Sequence, residues 1–205
     1  MRPSVLALAA LLLAAAPGAA QTVSADHGNV VLSRPGAAPV RLTTSGRDRD
    51  PALSPDGRSV AFVRGGDGAR PDASELWIVA VGGGGERRLL PERPSDEPRE
   101  NLTGFDNPQF SPDGRTIYVL TAAWVTSGAV HAVEPGTGRV RYVCPGNSLE
   151  VVPRGEYAGH LVVSQHRYFV SDGSYDWYWL LTPDGREVGP LGESPNSFRE
   201  RWEES

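Results

Sequence analysis

One fourteen-residue pattern occurs twice, and its chemistry leaves few folds open. Asp50-Pro51-Ala52-Leu53-Ser54-Pro55-Asp56-Gly57-Arg58-Ser59-Val60-Ala61-Phe62-Val63 returns 57 residues later as Asn107-Pro108-Gln109-Phe110-Ser111-Pro112-Asp113-Gly114-Arg115-Thr116-Ile117-Tyr118-Val119-Leu120. Pro sets φ at the first corner of the turn, Asp bonds nearby backbone N–H groups at the second, and Gly takes the positive φ that closes it. Each copy therefore predicts two antiparallel strands joined by a tight turn. The second strand of each pair is apolar on both sides, with Val60 and Phe62 opposed to Ala61 and Val63, then Ile117 and Val119 opposed to Tyr118 and Leu120. A sheet wet on one face alternates apolar with polar, so these strands belong between two neighbouring layers.

The rest of the chain carries the same rhythm of short apolar runs and Gly/Pro/Asp/Ser clusters, which predicts an all-β fold. Candidate strands in the first half are Asn29–Ser33, Val40–Thr44, Ser59–Arg64, Glu75–Val81 and Glu86–Leu90. In the second half they are Thr116–Thr121, Ala129–Glu134, Arg139–Cys144, Leu149–Val152, His160–Ser164, Tyr175–Thr182 and Glu187–Leu191. A short terminal helix is expected over Pro195–Glu204, where Phe198 and Trp202 stand four apart behind Ser194. With 24 Gly and 18 Pro among 205 residues, the composition suits a turn-rich globular protein and excludes collagen and coiled coil.

Each repeated hairpin is followed by another strand pair around Gly82-Gly83-Gly84-Gly85 or Pro135-Gly136-Thr137-Gly138, giving four strands per unit, the make-up of a propeller blade. The Ser-Pro-Asp-Gly-Arg hairpin, the Leu-Trp-Ile-Val or Val-His-Ala-Val strand after it and the Gly-rich turn resemble the WD40-like (PD40) repeat of TolB-type periplasmic β-propellers, over roughly residues 26–145. The resemblance implies an all-β, β-propeller-like domain of about four blades of four-stranded antiparallel sheets. Residues 46–95 and 104–146 make two full blades, 22–45 supply two strands or a third if Thr22–Ala25 pairs, and 147–192 supply a fourth unit. In that unit Pro153-Arg154-Gly155-Glu156 replaces the Ser-Pro-Asp-Gly turn, and Thr182-Pro183-Asp184-Gly185-Arg186 comes one hairpin later. A four-bladed ring, an open or incomplete ring, and an arc completed by a second subunit all satisfy this count.

Residues 1–20 read as a secretory signal peptide: Arg2, an apolar run from Val5 to Ala16, then small residues up to Ala20. That run is shorter than the roughly 20 residues that span a bilayer. The expected layout is a leader over 1–20, the propeller over 21–192 and a tail over 193–205, in a periplasmic or secreted protein without a stable membrane anchor after cleavage. All 20 basic residues are Arg, yet 25 acidic residues outnumber them, which disfavours a nucleic-acid partner. Cys144 stands alone at the end of an apolar run and reads as a buried thiol. His27, His131, His160 and His166 show no metal-ligand spacing, so neither a metal nor another cofactor is expected.

The candidate ligand-binding residues lie in the aromatic C-terminal unit: His166, Tyr168, Tyr175, Trp177 and Tyr178. Rings with polar tips suit recognition surfaces, and strand alternation puts Tyr175, Trp177 and Trp179 on one side and Tyr178 on the other. The same rings are also suited to filling space between blades. No catalytic residue is assigned, because nucleophile-elbow, zinc-protease and phosphate-loop motifs are all missing and the chain has no Lys. By resemblance to the TolB type, the expected function is a protein-binding or scaffolding module for an envelope or periplasmic partner, with self-association also open. The alternative is a small glycosidase-like propeller hydrolase with paired carboxylates at the axial mouth.

Overall fold

Hairpins laid down in chain order generate four separate antiparallel sheets. The computed structural model describes residues 21–125 and 127–203; the leader-like segment 1–20 lies outside the described residues. Strands β1 (Thr22–Asp26), β2 (Asn29–Ser33) and β3 (Val40–Arg41) form the first sheet. Strands β4 (Asp48–Leu53), β5 (Ser59–Gly65), β6 (Ser74–Ala80) and β7 (Arg87–Leu90) form the second. The third holds β8 (Asp106–Phe110), β9 (Ile117–Ala122), β10 (Gly128–Val133) and β11 (Val140–Pro145). The fourth holds β12 (Ser148–Val151), β13 (Leu161–Tyr168), β14 (Ser174–Leu181) and β15 (Glu187–Gly192), and helix α1 (Asn196–Glu203) follows.

The repeated turns are closed by their own side chains. Ser54 Oγ donates to Asp56 Oδ1 at 2.6 Å and accepts from the Ser59 N–H at 2.9 Å, while Asp56 accepts from the Arg58 N–H at 3.1 Å. Ser111 and Asp113 reproduce that set at 2.6, 3.0 and 3.0 Å. Gly57 and Gly114 sit at φ 68° and 70°, the left-handed region the closure requires. These bonds hold both Asp carboxyls below the ordinary carboxylate range, the Ser hydroxyl contributing most.

The strands expected to lie between layers do so. Val60 and Phe62 of β5 pack with Val30 and Leu32 of the first sheet, while Ala61 and Val63 pack with Ile117 and Val119 of the third. Tyr118 and Leu120 of β9 then meet Leu149, Leu161 and Val163 of the fourth. Cys144 is buried in that last interface, which pushes its thiol up to about 12 and leaves it inert. The first strand of each sheet, β1, β4, β8 and β12, touches the next one, so these four line the inner, axial side.

The first blade departs from the four-strand pattern. It has three strands, and β3 stops at Arg41 instead of running to Thr44. Its chain turns inward there: the Leu42 N–H donates to Val30 O at 2.8 Å, and Thr43 Oγ1 accepts from the Val30 N–H at 2.8 Å. β13 instead runs past Ser164 to Tyr168, because it stays paired with β14 out to Tyr168 opposite Ser174.

The two outer sheets differ in their outward sides. The outward side of the first sheet carries Thr22, Ser24, Ser33 and Arg41 around Val31 and is polar. The outward side of the fourth sheet has an apolar patch covered by α1, whose Phe198 packs on Val152, Val162 and Leu180, and turns polar beyond it at Ser164, His166 and Asp176. Arg199 holds the helix down through Glu150 at 2.8 Å. Among the described residues the buried cores join the first sheet to the second, the second to the third and the third to the fourth, and none joins the first to the fourth, so the blades form an open arc.

Asp48 and Arg64 anchor the second sheet. The Asp48 side chain is fully buried and receives Arg64 Nε at 2.6 Å and Nη2 at 2.9 Å; Arg64 also reaches Glu86 at 2.8 Å and lies 4.3 Å over the Trp77 ring. Burial alone would raise the Asp48 pKa, but hydrogen bonds from Arg64, Thr43 and Ser45 outweigh it and the carboxyl is held low. A carboxylate with a depressed folded pKa contributes stability above its unfolded value near 4, and loses it as pH falls through the lower folded value. Arg64→Met is expected to cost about 3–5 kcal/mol in urea unfolding, because it strands a buried charge. Asp48→Asn should flatten the acid limb of stability against pH.

Candidate functional site

The β13–β14 hairpin projects its aromatic residues from the last blade. Residues directly opposite share a face, so Gln165 with Trp177 and Arg167 with Tyr175 look toward the third sheet, while Ser164 with Tyr178 and His166 with Asp176 look outward. On the first side Phe169, Tyr175 and Trp177 form a ladder with ring centroids 4.7 and 5.2 Å apart. Arg167 lies 3.7 Å over Trp179 and pairs with Glu187. Trp179 Nε1 is buried there without an acceptor among the described residues. On the other side His166 Nδ1 meets Asp176 Oδ1 at 2.9 Å and the Tyr168 ring at 5.1 Å, whereas Tyr178 joins the cluster under α1.

The five sequence-predicted residues are thus divided over two faces. Tyr175 and Trp177 stand together on one, His166 and Tyr168 on the other, and Tyr178 beside the helix. What unites the faces is the tip, where Tyr168 is 74% exposed, Phe169 54% and Val170 fully. Phe169 and Val170 are not among those five. Their signal was an apolar run, Tyr168-Phe169-Val170, placed directly before the turn residues Ser171-Asp172-Gly173. The turn itself bends at Asp172, φ 150°, and Gly173, φ 86°, and is closed by the Phe169 N–H on Gly173 O at 3.0 Å.

A second constellation lies on the axial side. β4 and β8 each carry a bulge where the chain passes Asp50-Pro51 and Asn107-Pro108, with φ of 51° at Asp50 and 47° at Asn107. Asn107 Nδ2 donates to Leu149 O at 2.9 Å, and Gln109 clasps the same carbonyl at 2.8 Å and the Val151 N–H at 2.8 Å. At the preceding interface Arg49 takes over, donating to Phe105 O at 2.6 Å and Asp106 Oδ1 at 2.8 Å and pairing with Asp50. Asp50 therefore faces Asp106. Burial and then the hydrogen bond to that second acid raise the Asp50 pKa, against the pull of Arg49. Among the described residues no group of three or more His, Cys, Asp or Glu could hold a metal ion.

The stacked sheets and axial inner strands define a TolB-like β-propeller fold, and known structures agree. A protein described as TolB from Agrobacterium tumefaciens superposes with a TM-score of 0.57 at 20% identity, over 80% of this chain and 56% of that one. The β-propeller domain of the Trilobed protease from Pyrococcus furiosus, whose topology is called open velcro, gives 0.53 at 13% identity over 82% and 52%. In sequence, the chain is 40% identical over 76 residues to the uncharacterized peptidase YuxL of Bacillus subtilis, covering 37% of this chain and 10% of that protein. The chain thus spans about half the length of these propeller structures and a small part of that peptidase. No protein-family model matches the chain.

Asn107 shows that Asn is accommodated at the Asp50 position of the repeat, with the same backbone. A carboxyl with a raised folded pKa destabilises the fold once it ionises. Asp50→Asn is therefore expected to raise the thermal midpoint at pH 7 while leaving it unchanged near pH 3. Carboxyl NMR titration should show Asp50 releasing its proton above the usual range, and Asp106→Asn should bring it down.

Proposed function

We propose that this protein is an exported, periplasmic propeller that acts as a binding or scaffolding module for an envelope or periplasmic protein. The observation that carries this reading is the apolar tip of the β13–β14 hairpin, where Tyr168, Phe169 and Val170 are exposed side by side. Exposed aromatics on a rigid hairpin are the anchors protein interfaces use, because they bury large area at small entropic cost. His166, Tyr175, Trp177 and Tyr178 would flank the contact and orient it. The layout proposed is a cleaved leader over 1–20, the propeller over 21–192 and the tail over 193–205, within which α1 falls. Among the described residues no helix is long and apolar enough to cross a membrane.

The test is a photo-crosslinking amino acid placed at Phe169, with the full-length precursor expressed in its host. Discrete crosslinked species in the periplasmic fraction, with the mature chain beginning at Gln21, are expected. Replacing Tyr168 and Val170 by Ser should abolish them and change unfolding by less than about 0.5 kcal/mol, the usual range for exposed sites. Unchanged crosslinking in that variant would sink the reading.

A second reading, a small hydrolase at the axial mouth, draws on Asp50 and Asp106, a carboxyl pair in which Asp50 holds its proton above the ordinary range. It ranks second because one nitrogen of Arg49 already bonds both acids, where a sugar carbon or water would have to stand. Turnover on a panel of aryl glycosides, lost in Asp50→Asn, would reverse the ranking.

A further inference from the structure

The connection over 91–104, between β7 and β8, is long for a hairpin protein, and it folds back on the third sheet. Arg93 and Leu102 exchange backbone bonds at 2.9 and 3.0 Å, which closes it into a loop of its own. Leu102 and Phe105 sink into the core between the second and third sheets. The buried ring of His131 on β10 then latches the loop. Its Nε2 donates to Arg99 O at 2.9 Å, while Nδ1 accepts from the Thr121 hydroxyl at 3.1 Å. That pattern needs the neutral imidazole, and burial holds the His131 pKa down accordingly.

Between loop and sheet lies a cleft of about 620 Å³. Leu102, Val140 and the Tyr142 ring supply its apolar wall, and Arg93, Arg99 and Arg141 supply its positive charge, Arg141 also donating to Pro183 O at 2.9 Å. Arg99 stands 5.4 Å over the Tyr142 ring, which in turn meets His131 edge-on at 5.8 Å. Arg49, Arg64, Arg70 and Arg88 each have a carboxylate partner, but among the described residues neither Arg93 nor Arg99 has one. The acid on this lining, Glu100, forms no ion pair with either. In a chain with a net charge of −5, a cleft lined by three arginines and one acid is a locally positive field.

We infer that this cleft binds a small organic anion, a carboxylate or phosphate carried on a flat apolar body. The guanidinium fork matches the planar geometry of both oxyanions, and the wall of Leu102, Val140 and Tyr142 accepts the apolar part. The His131 latch presets the Arg99 backbone, so less ordering is needed on binding. This site is remote in sequence from the β13–β14 tip and does not depend on the binding role proposed for it.

Calorimetric titration of the full mature chain with phenyl phosphate, benzoate and inorganic phosphate tests the inference. At least one of the two aromatic anions is expected to bind, and more tightly than inorganic phosphate; which of them binds identifies the headgroup. Losing a charge-assisted hydrogen bond should weaken binding by about tenfold or more in Arg93→Gln and in Arg99→Gln. Arg99→Gln keeps the carbonyl that His131 uses, so an unchanged thermal midpoint would show that the latch is intact. The Tyr168/Val170 double Ser variant should bind like the parent. Binding of none of the three probes, inorganic phosphate binding as tightly as phenyl phosphate, or affinities unmoved in both Arg variants would each overturn it.

Discussion

Burial of the second strand of a blade on both faces is the constraint from which the rest of this structure follows. β5 and β9 send side chains into two different cores at once, with Phe62 and Val63, or Ile117 and Tyr118, pointing in opposite directions. Fully burying such a side chain is worth about 1.5–3 kcal/mol, so a blade packed on one face only forfeits about half of what its best strand can contribute. Stacking is obligatory, and the protein is a nearly one-dimensional array in which each sheet is stabilised by its neighbours. At one end of the array a polar face looks outward, and at the other a helix seats Phe198 on the last sheet.

Repetition in the turns coexists with divergence at the axial strands. The Ser-Pro-Asp-Gly corners are nearly superposable in their bonding, because their chemistry is entirely local. The inner strands must instead grip a different neighbour at each interface. Gln109 clasps β12 across one of them, whereas its repeat partner is Ala52 and the corresponding grip falls to Arg49. That exchange places two acids and one base at the axis, and it leaves Asp50 carrying a charge its surroundings only partly support.

Legibility of the sequence followed the range of the interactions involved. The all-β class, the hairpins, the face assignments of Val60 to Val63 and Ile117 to Leu120, and the terminal helix were readable because alternation and turn chemistry act over a few residues. The early stop of β3 was not, since it depends on Thr43 meeting the Val30 backbone. Nor was the length of β13, which is set by pairing with β14 beyond Ser164. The aromatic residues were readable as a group, and the two directions of Tyr175 and Tyr178 with them. That Tyr178 lies beside α1 while Tyr168 stands in water depends on where a helix 20 residues further on comes to rest.

By itself, the sequence determined the unit: a four-stranded sheet with a self-closing corner and no solvent face, repeated along the chain. Tertiary structure alone decided how many strands the first blade keeps, that the arc stays open among the described residues, and which charges stand together. Arg93 and Arg99 share a cleft with Tyr142, and Asp50 meets Asp106, through packing between blades. Such encounters are set by the stagger and twist of stacked sheets. No short-range preference of the residues concerned encodes that geometry.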